Sequence, residues 1–293
     1  MQRALQGFIR DFRNGTKKSR YRDYIVSVIL FGSAARESFV LGQSDVDIIV
    51  VAKDEKHTAK IQRFMRDLIK RLNKKHKLLL ETTCSDERKF KNSALNAVLG
   101  LESFFLYGVP VYVLSQDKFD IVKRRVCDAK LWFLLTFVGS LSEFLKSIKQ
   151  TGKVVYGKNL IKGITAVKFG VFDQIKMMLQ PYYLLVLGLA VLPFDPKLAL
   201  KHAIKASFLE SEFDLMLLHK HLKSYRKDEM AYERSFNHYK FNVNHMKKTF
   251  TLRERFNTLK ITRPECISYM IRSCAFVATT HIALYLNKTQ FTR

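Results

Sequence analysis

The fold is decided by two neighbouring stretches, Leu30-Phe31-Gly32-Ser33-Ala34-Ala35-Arg36 and Ser44-Asp45-Val46-Asp47-Ile48-Ile49-Val50. The first ends an apolar run over residues 24–31, which predicts a strand that turns into a short helix at Gly32. Free backbone N–H groups at such a helix start attract anions, and a glycine lets a phosphate approach the backbone closely. Ser33 adds a hydroxyl and Arg36 a guanidinium. The first stretch therefore predicts a phosphate-binding turn.

The second stretch carries two carboxylates on one strand. Asp45 and Asp47 are two residues apart, so the pleat places both on one face while Val46 points to the other. Carboxylates held side by side repel each other unless a cation lies between them. Mg²⁺ takes oxygen ligands and keeps waters and substrate phosphates in its shell, so this pair is a candidate magnesium site.

A third acid, Glu81, follows three leucines in a run that predicts a strand over residues 77–83. An acid there is costly to bury unless it is paired or binds a metal. If its strand lies beside that of Asp45, Glu81 completes a three-carboxylate cluster able to hold two metal ions. Such a cluster suits phosphoryl or nucleotidyl transfer. The alternative for Glu81 is a helix-capping or edge-strand acid.

The order Gly-Ser, Asp-x-Asp and strand acid resembles the polymerase-β-like nucleotidyltransferase superfamily, in particular its small, prokaryotic-type domains. The resemblance covers residues 20–115, including the segment 108–112, which is similar to the strand that closes such domains. The matching positions are Gly32, Ser33, Ala35, Arg36, Ser44, Asp45 and Asp47.

The resemblance implies a role for each site residue. The nucleotide-binding candidates are Gly32, Ser33, Arg36 and Ser44. The catalytic and metal-binding candidates are Asp45, Asp47 and Glu81. Two Mg²⁺ ions, or Mn²⁺, would be the cofactors, and Glu81 would help to deprotonate the acceptor hydroxyl. Arg36 could instead form a salt bridge within the domain.

The texture of the chain changes near residue 116. Residues 1–115 alternate β-rich runs with amphipathic helices, which predicts an α+β nucleotidyltransferase domain with a mixed sheet. Residues 116–293 predict an all-helical, basic domain that binds the acceptor. The predicted strands are 24–31, 46–51, 77–83 and 109–114. The predicted helices are 58–72, 93–107, one or two over 117–149, then 198–223 and 264–286, with breaks at Pro181 and at 193–196 and a connector over 152–163.

The composition indicates a folded chain with an anionic partner. The 293 residues hold 51 Lys and Arg against 26 Asp and Glu, a formal net charge of +25, with 47% hydrophobic residues. That apolar content excludes a disordered basic tail. The charge favours RNA, DNA, nucleotide phosphates or an anionic membrane as partner, unless all proteins of the source are this basic.

The sequence predicts a cytoplasmic protein. Its four cysteines form no Cys-x-x-Cys pair, and its first residues lack the apolar core of a signal peptide. The longest apolar stretch, 182–194, is about 13 residues, short of the roughly 20 that cross a bilayer. It predicts a buried helix and no membrane partner.

The predicted activity is transfer of a nucleotide from a nucleoside triphosphate, by default ATP, to an acceptor hydroxyl. Charge favours an RNA or tRNA end as the acceptor, while similar minimal domains AMPylate proteins and related two-domain enzymes modify aminoglycosides. The alternative of a different class is a catalytically silent module that binds RNA or protein.

Two features of the second half remain open in the sequence. Residues 219–263 interleave basic and aromatic side chains, which fits either an RNA-binding surface or a helix pair with an aromatic core. Glu210 and Asp214 are one helical turn apart, and with Glu212 they could assist the acceptor or balance nearby lysines. His245 fits a solvated basic surface.

Overall fold

The computed structural model of the chain describes residues 2–36, 38–41, 44–80, 111–120, 125–126, 135, 139–165, 167–218, 222 and 225–291. Within these ranges the chain forms two compact units. The first ends at Lys168 and the second begins at Phe169.

The first unit combines strands and helices. Its elements are α1 (Gln2–Lys17), β1 (Ile25–Phe31), α2 (Gly32–Ala35), β2 (Asp47–Ala52), α3 (Thr58–His76), β3 (Val111–Ser115), β4 (Phe119–Asp120), β5 (Arg125–Val126), α4 (Leu141–Thr151) and β6 (Lys153–Gly157). The described residues form a four-stranded sheet in the order β3-β2-β1-β6. β2 and β3 are parallel and the other pairs are antiparallel, which confirms the predicted mixed sheet.

Both faces of the sheet are covered, so β1 is buried along its whole length. Val28 and Leu30 belong to a core cluster that also contains residues of α1 and α3. Ile29 and Phe31 belong to a second cluster with residues of α4. Because strand side chains alternate, the two faces of β1 separate these two cores.

Helix α1, to which the sequence analysis assigned no element, is held on α3. Phe8 and Phe12 are buried and their rings stack 6.1 Å apart. The Asp11 carboxylate accepts hydrogen bonds from Lys75 at 2.7 Å and His76 at 3.0 Å. Both hydrogen bonds, that from Lys75 first, lower the pKa of Asp11 to about 2.

The second unit is helical, as predicted. Its helices are α5 (Val171–Val191), α6 (Pro196–Leu217), α7 (Tyr225–Ser235), α8 (Lys240–Arg255) and α9 (Arg263–Phe291). Helix α6 starts with Pro196 in its first turn and with the Asp195 carboxylate accepting from the Leu198 N–H at 2.9 Å. It is buried over most of its length, since α5, α7, α8 and α9 all pack against it.

The predicted domain boundary at residue 116 is too early. β6 pairs with β1, with Ser27 opposite Gly157 and Leu30 opposite Lys153. The first unit therefore continues to Lys168. The sequence pattern is misleading here for two reasons. β4 and β5 pair antiparallel inside the segment predicted as helical, and β6 lies in the predicted connector.

Three further expectations change. Pro181 lies inside α5 and does not break it. Residues 77–80 form no strand, since Lys77 and Leu79 have left-handed φ values of 52° and 53°. The predicted helix 93–107 lies outside the described residues.

The corrected boundary also changes how the excess positive charge is divided between the two parts of the chain. Residues 1–168 hold 32 Lys and Arg against 16 Asp and Glu, a formal +16, whereas residues 169–293 hold 19 against 10, or +9. Most of the positive charge thus belongs to the sheet-containing part of the chain rather than to the helical part.

In the part of the chain that the structure describes, two helices are long and apolar enough to cross a membrane by length and composition: Val171–Val191, 33% buried, and Arg263–Leu284, 44% buried. The expectation of a short, buried helix over 182–194 is wrong in length, because α5 starts at Val171. It is also wrong in part about burial, since Leu184 and Leu185 are buried but Val186 is 62% exposed. A core helix of a soluble protein passes the same test.

Gly157 offers a test of the place of β6 in the sheet. Its φ is +80°, and a Cβ there would overlap the Val26 carbonyl oxygen, which accepts the Lys158 N–H at 2.8 Å. We expect Gly157→Ala to lower the free energy of unfolding by about 2 kcal/mol. Urea unfolding measures this. Gly170→Ala is the control, because its Cβ would meet the nearest atom at an ordinary 3.6 Å. Equal unfolding midpoints for the two variants would contradict the β6 pairing.

Candidate functional site

The glycine turn and an aspartate meet where β1 and β2 pair. Phe31 lies opposite Asp47, so the next residue, Gly32, lies beside the Asp47 carboxylate. A Cβ at Gly32 would come 2.5 Å from Asp47 Oδ2, and Gly32 has a φ of +68°. Both the space and the left-handed backbone require glycine here. The structure thus brings together the predicted phosphate-binding turn and the predicted acid.

The backbone N–H of Gly32 is not free, contrary to the sequence-based expectation. It donates to the hydroxyl of Thr151, at the end of α4, at 3.0 Å. That hydroxyl donates in turn to the Ser147 carbonyl at 2.8 Å, and Thr151 is only 6% exposed. Gly32 therefore contributes an open, Cβ-free backbone beside Asp47, and Thr151 fixes its position.

Asp47 begins β2 and Asp45 precedes it, so a shared face for their carboxylates stays a prediction. Val46 and Ile48 are buried in the cluster that contains α1 and α3. Asp45, which precedes Val46, and Asp47, which lies between Val46 and Ile48, are both half-buried. Asp47 lies opposite Phe31, whose side chain belongs to the other cluster. Asp47 therefore lies on the α4 side of the sheet and keeps access to solvent.

Ser33 and Ser44 shape the loop between β1 and β2. The Ser33 carbonyl accepts the Ser38 N–H at 3.1 Å. Ser44 is 5% exposed; its hydroxyl accepts the Val40 N–H at 2.9 Å, and its own N–H donates to the Val40 carbonyl at 2.8 Å. Ser44 thus closes the loop that leads into Asp45. Arg36 ends α2 and is half-buried. Nucleotide contacts by Ser33, Ser44 and Arg36 stay predictions.

The two aspartates fit a magnesium ion in their donor chemistry. They offer oxygen atoms only, and their partial exposure leaves room for the waters that Mg²⁺ retains. Within the described ranges, no group of three or more His, Cys, Asp or Glu side chains could hold a metal ion. Further ligands must come from water, substrate or Glu81, and Glu81 lies outside the described residues.

Sequence reasoning missed the contribution of α4. This helix packs against α2, and Phe144 contacts Phe31 edge-on at 5.7 Å. It supplies Thr151 and also Lys146, which is 9% exposed and whose pKa is lowered by burial. No local motif marks these residues, because their position depends on tertiary packing. The available signal is a helix pattern that ends at Thr151, next to Gly152.

The comparison with protein families decides what this site belongs to. The family model described as nucleotidyltransferase domain matches residues 9–99. The N-terminal part of the chain therefore resembles a nucleotidyltransferase domain. The match spans the turn at Gly32 and both aspartates, and it confirms the predicted resemblance and the predicted class of enzyme.

Similarity beyond the nucleotidyltransferase domain is distant. A solved structure of spectinomycin adenyltransferase from Enterococcus faecialis, crystallised with ATP and spectinomycin, resembles the chain with a TM-score of 0.46 and 13% identity. That comparison covers 96% of this chain and 99% of the other. No curated protein matches the chain.

Glu210 and Asp214 of α6 are core residues rather than surface acids that balance lysines. Glu210 is 1% and Asp214 0% exposed, while Glu212 is half-buried. Burial raises the pKa of Glu210 and of Asp214 well above their usual values, and the Glu210 charge raises that of Asp214 further. His281 Nε2 lies 2.8 Å from Glu210 Oε1, and burial lowers the pKa of His281 to about 4. Burial is the largest cause of all three pKa shifts, and each shift favours the neutral form of its group.

Residues 219–263 form, where described, the helix pair α7 and α8 with an aromatic core. Tyr232 and Phe236 stack 4.4 Å apart, and both are buried, as is Phe250. His245 is 4% exposed, not solvated, and its Nε2 lies 3.0 Å from the Ser207 hydroxyl. Burial, followed by nearby positive charges, lowers its pKa to about 4. These three rings are therefore unavailable for stacking on bases, whereas Phe241 is 44% exposed.

Gly32→Ala tests the geometry of the turn. We expect it to weaken Mg²⁺–ATP binding at least about tenfold, because the new Cβ displaces the Asp47 carboxylate and the left-handed φ costs about 1–2 kcal/mol. Calorimetric titration measures the binding. Thr151→Ser retains the hydroxyl and should bind ATP as the wild type does. Unchanged ATP binding by a folded Gly32→Ala variant would contradict the assigned turn.

The buried acids of α6 predict an unusual dependence of stability on pH. A raised carboxyl pKa means that the folded state binds more protons than the unfolded state above pH 3.8, so each such group lowers stability as pH rises toward its folded pKa. His245 acts in the opposite direction, because its lowered pKa removes stability as pH falls from 6.5 to about 4. We expect Asp214→Asn to be more stable than the wild type at pH 8, with a smaller gain at pH 5.

Urea unfolding at the two pH values measures the difference. Glu212→Gln is the matched control, since it removes a half-buried acid from the same helix. An Asp214→Asn gain that is the same at pH 5 and pH 8 would show that the Asp214 carboxyl is not protonated in the folded state.

Proposed function

We propose that the protein transfers a nucleoside monophosphate from ATP to a hydroxyl group of an RNA acceptor. The observation that carries the proposal is the contact of the Gly32 turn with the Asp47 carboxylate across the β1–β2 pair. This arrangement places a phosphate-accessible backbone beside an acid that can hold a metal ion. The family match over residues 9–99 supports nucleotidyl transfer as the chemistry.

In the proposed reaction the acceptor hydroxyl oxygen forms a bond with the α-phosphorus of ATP. The bond between that phosphorus and the oxygen bridging to the β-phosphate breaks, and pyrophosphate leaves. The hydroxyl proton passes to a carboxylate, for which Glu81 is the predicted base. The Gly32–Ser33 turn would hold the triphosphate in line with the acceptor.

Asp45 and Asp47 would hold Mg²⁺ in this site. When bound, the ion would neutralise charge on the phosphate oxygens and so lower the barrier to attack of the acceptor oxygen on the α-phosphorus. The chain contributes the fixed spacing of the two carboxylates, which the buried Val46 and Ile48 set from the opposite face.

The net positive charge of the chain supports RNA as the acceptor. The formal charge of +25 attracts a polyanion over long range and repels a polycationic small molecule such as an aminoglycoside. The charge is concentrated in residues 1–168, which contain the nucleotidyltransferase domain. RNA therefore fits the field around the site better than a cationic antibiotic does.

Asp45→Asn and Asp47→Asn test the proposed chemistry. We expect each to reduce pyrophosphate release by at least about 10³-fold, because an amide replaces an ionised ligand at the metal. The assay incubates the protein with each labelled nucleoside triphosphate, Mg²⁺ and total RNA. Asp67→Asn is the control, since this exposed residue of α3 lies in the same unit and outside the site.

The identity of the labelled product tests the acceptor. Label in RNA supports the proposal; label in the protein or in a small molecule, with unlabelled RNA, would reject the RNA acceptor and keep the transferase chemistry. Pyrophosphate release that survives in Asp47→Asn would reject the chemistry itself. A silent binding module would give no release in the wild type.

A further inference from the structure

A cavity lies in the first unit between helix α1 and the edge strand β6. Its volume is about 460 Å³, within the range of ligand-binding pockets. The lining residues are Gln6, Ile9, Arg10, Arg13, Asn14, Lys17, Leu30, Ala34, Lys153, Val154 and Val155. We call it the α1–β6 groove.

The polar side chains of the groove are positive or neutral. Arg10, Arg13 and Lys17 follow each other at helical spacing along one face of α1, and Lys153 lies on the facing strand. No acid lines the groove among the described residues. Arg13, Lys17 and Lys153 make no ion pair with any described residue. The nearest acid along α1, Asp11, is held by Lys75 and His76.

Arg10 alone has an acidic neighbour. Its Nε lies 3.6 Å from Asp11, yet 74% of its side chain is exposed. An exposed pair of this kind contributes little and exchanges readily for another anion. The groove therefore holds concentrated positive charge that the acids of the described residues leave largely uncompensated, and a bound anion would offset it.

The groove is separate from the catalytic site. Leu30 and Ala34, which form part of its wall, belong to the core cluster that contains α1 and α3. Asp47 lies opposite Phe31, which belongs to the cluster on the other face of the sheet. The part of the groove formed by Leu30, Ala34 and Val155 thus lies on the opposite face of β1 from Asp47, whereas Val154 packs against the other cluster.

We propose that the α1–β6 groove binds the phosphodiester backbone of a single RNA strand. This inference rests on the proposed RNA acceptor, for which the groove provides a contact remote from the reaction. Arg10 and Lys17 are seven residues apart, about 10 Å along the helix, so one phosphate cannot contact both ends of the row. A strand with successive phosphates can. The apolar wall of Ile9, Leu30 and Val155 suits the sugar and base edges.

The test compares two matched triple variants by fluorescence anisotropy with a labelled single-stranded oligoribonucleotide. Arg10, Arg13 and Lys17 are changed to alanine in the first variant, and Arg63, Arg66 and Lys70 of α3 in the second. Both sets have the same residue types at the same spacing, and all six side chains are exposed. The second set does not line the groove. Alanine favours helix, so both variants should fold, which circular dichroism checks.

We expect the groove variant to bind RNA at least about 30-fold more weakly than the wild type at 100 mM salt, and the α3 variant less than about threefold more weakly. The slope of log affinity against log salt should fall by about 2 in the groove variant, since each lost phosphate contact on a single strand contributes roughly 0.7. Lys153→Ala should weaken binding in the same direction from the other wall. Equal losses in both triple variants would overturn the proposal.

Two further measurements distinguish a site for an RNA strand from a site for compact anions and from the ATP site. Inorganic tripolyphosphate that displaces the RNA at an equal phosphate concentration would identify a site for compact anions and overturn the strand assignment. ATP binding, measured without RNA, should be the same in both triple variants. If RNA binding depends on the groove but RNA is never labelled by ATP, the groove stands and the proposed acceptor reaction fails.

Discussion

The pairing of β1 with β2 is the constraint on which the site depends. It places Phe31 opposite Asp47 and thereby brings the glycine turn to a carboxylate that leaves no space for a Cβ. A shift of one residue in this register would turn the aspartates toward the core of α1 and α3. The buried alternation of Val46 and Ile48 with Ile49 and Val51 prevents that shift. The apolar residues of β2 thus determine the chemistry as firmly as the acids do.

The second unit stabilises itself in a different way. Polar side chains occupy its core, where Asn242 donates to Thr280 at 2.6 Å and Thr249 lies 2.7 Å from the Tyr269 hydroxyl. Satisfied buried networks of this kind specify one packing arrangement among helices. Burial raises the pKa of Tyr269 to about 12, so its hydroxyl stays protonated. The same interior also holds a cation, because Arg253 is 7% exposed and its guanidinium lies 3.9 Å from the centre of the Phe208 ring.

The site was predictable from sequence to the extent that it is local. The turn at Gly32 and the spacing of Asp45 and Asp47 lie within 16 residues, so strand periodicity was sufficient to place them. Thr151 and β6 reach the site from more than 100 residues away, and no local pattern encodes such contacts. The predicted connector over 152–163 contains the run Val154-Val155-Tyr156, which is typical of a strand, but no feature of the sequence identifies β1 as its partner.

The aromatic and basic residues of 219–263 show the same limit from the other side. Composition allowed either a binding surface or a core, and only packing decides between them, because a helix with one buried face has the same residue content as a nucleic-acid surface. The boundary near 116 failed for a related reason. A change from strand patterns to helix patterns in the sequence predicts a domain boundary there, but β6 pairs with β1 and so belongs to the first sheet.

The late return of β6 has a consequence for the synthesis of the protein. β1 is made about 120 residues before the strand that covers its free edge. At about 5–20 residues per second, that edge stays unpaired for roughly 6–24 s on the ribosome. An unpaired edge recruits other strands, so the growing chain is most prone to aggregation in this interval.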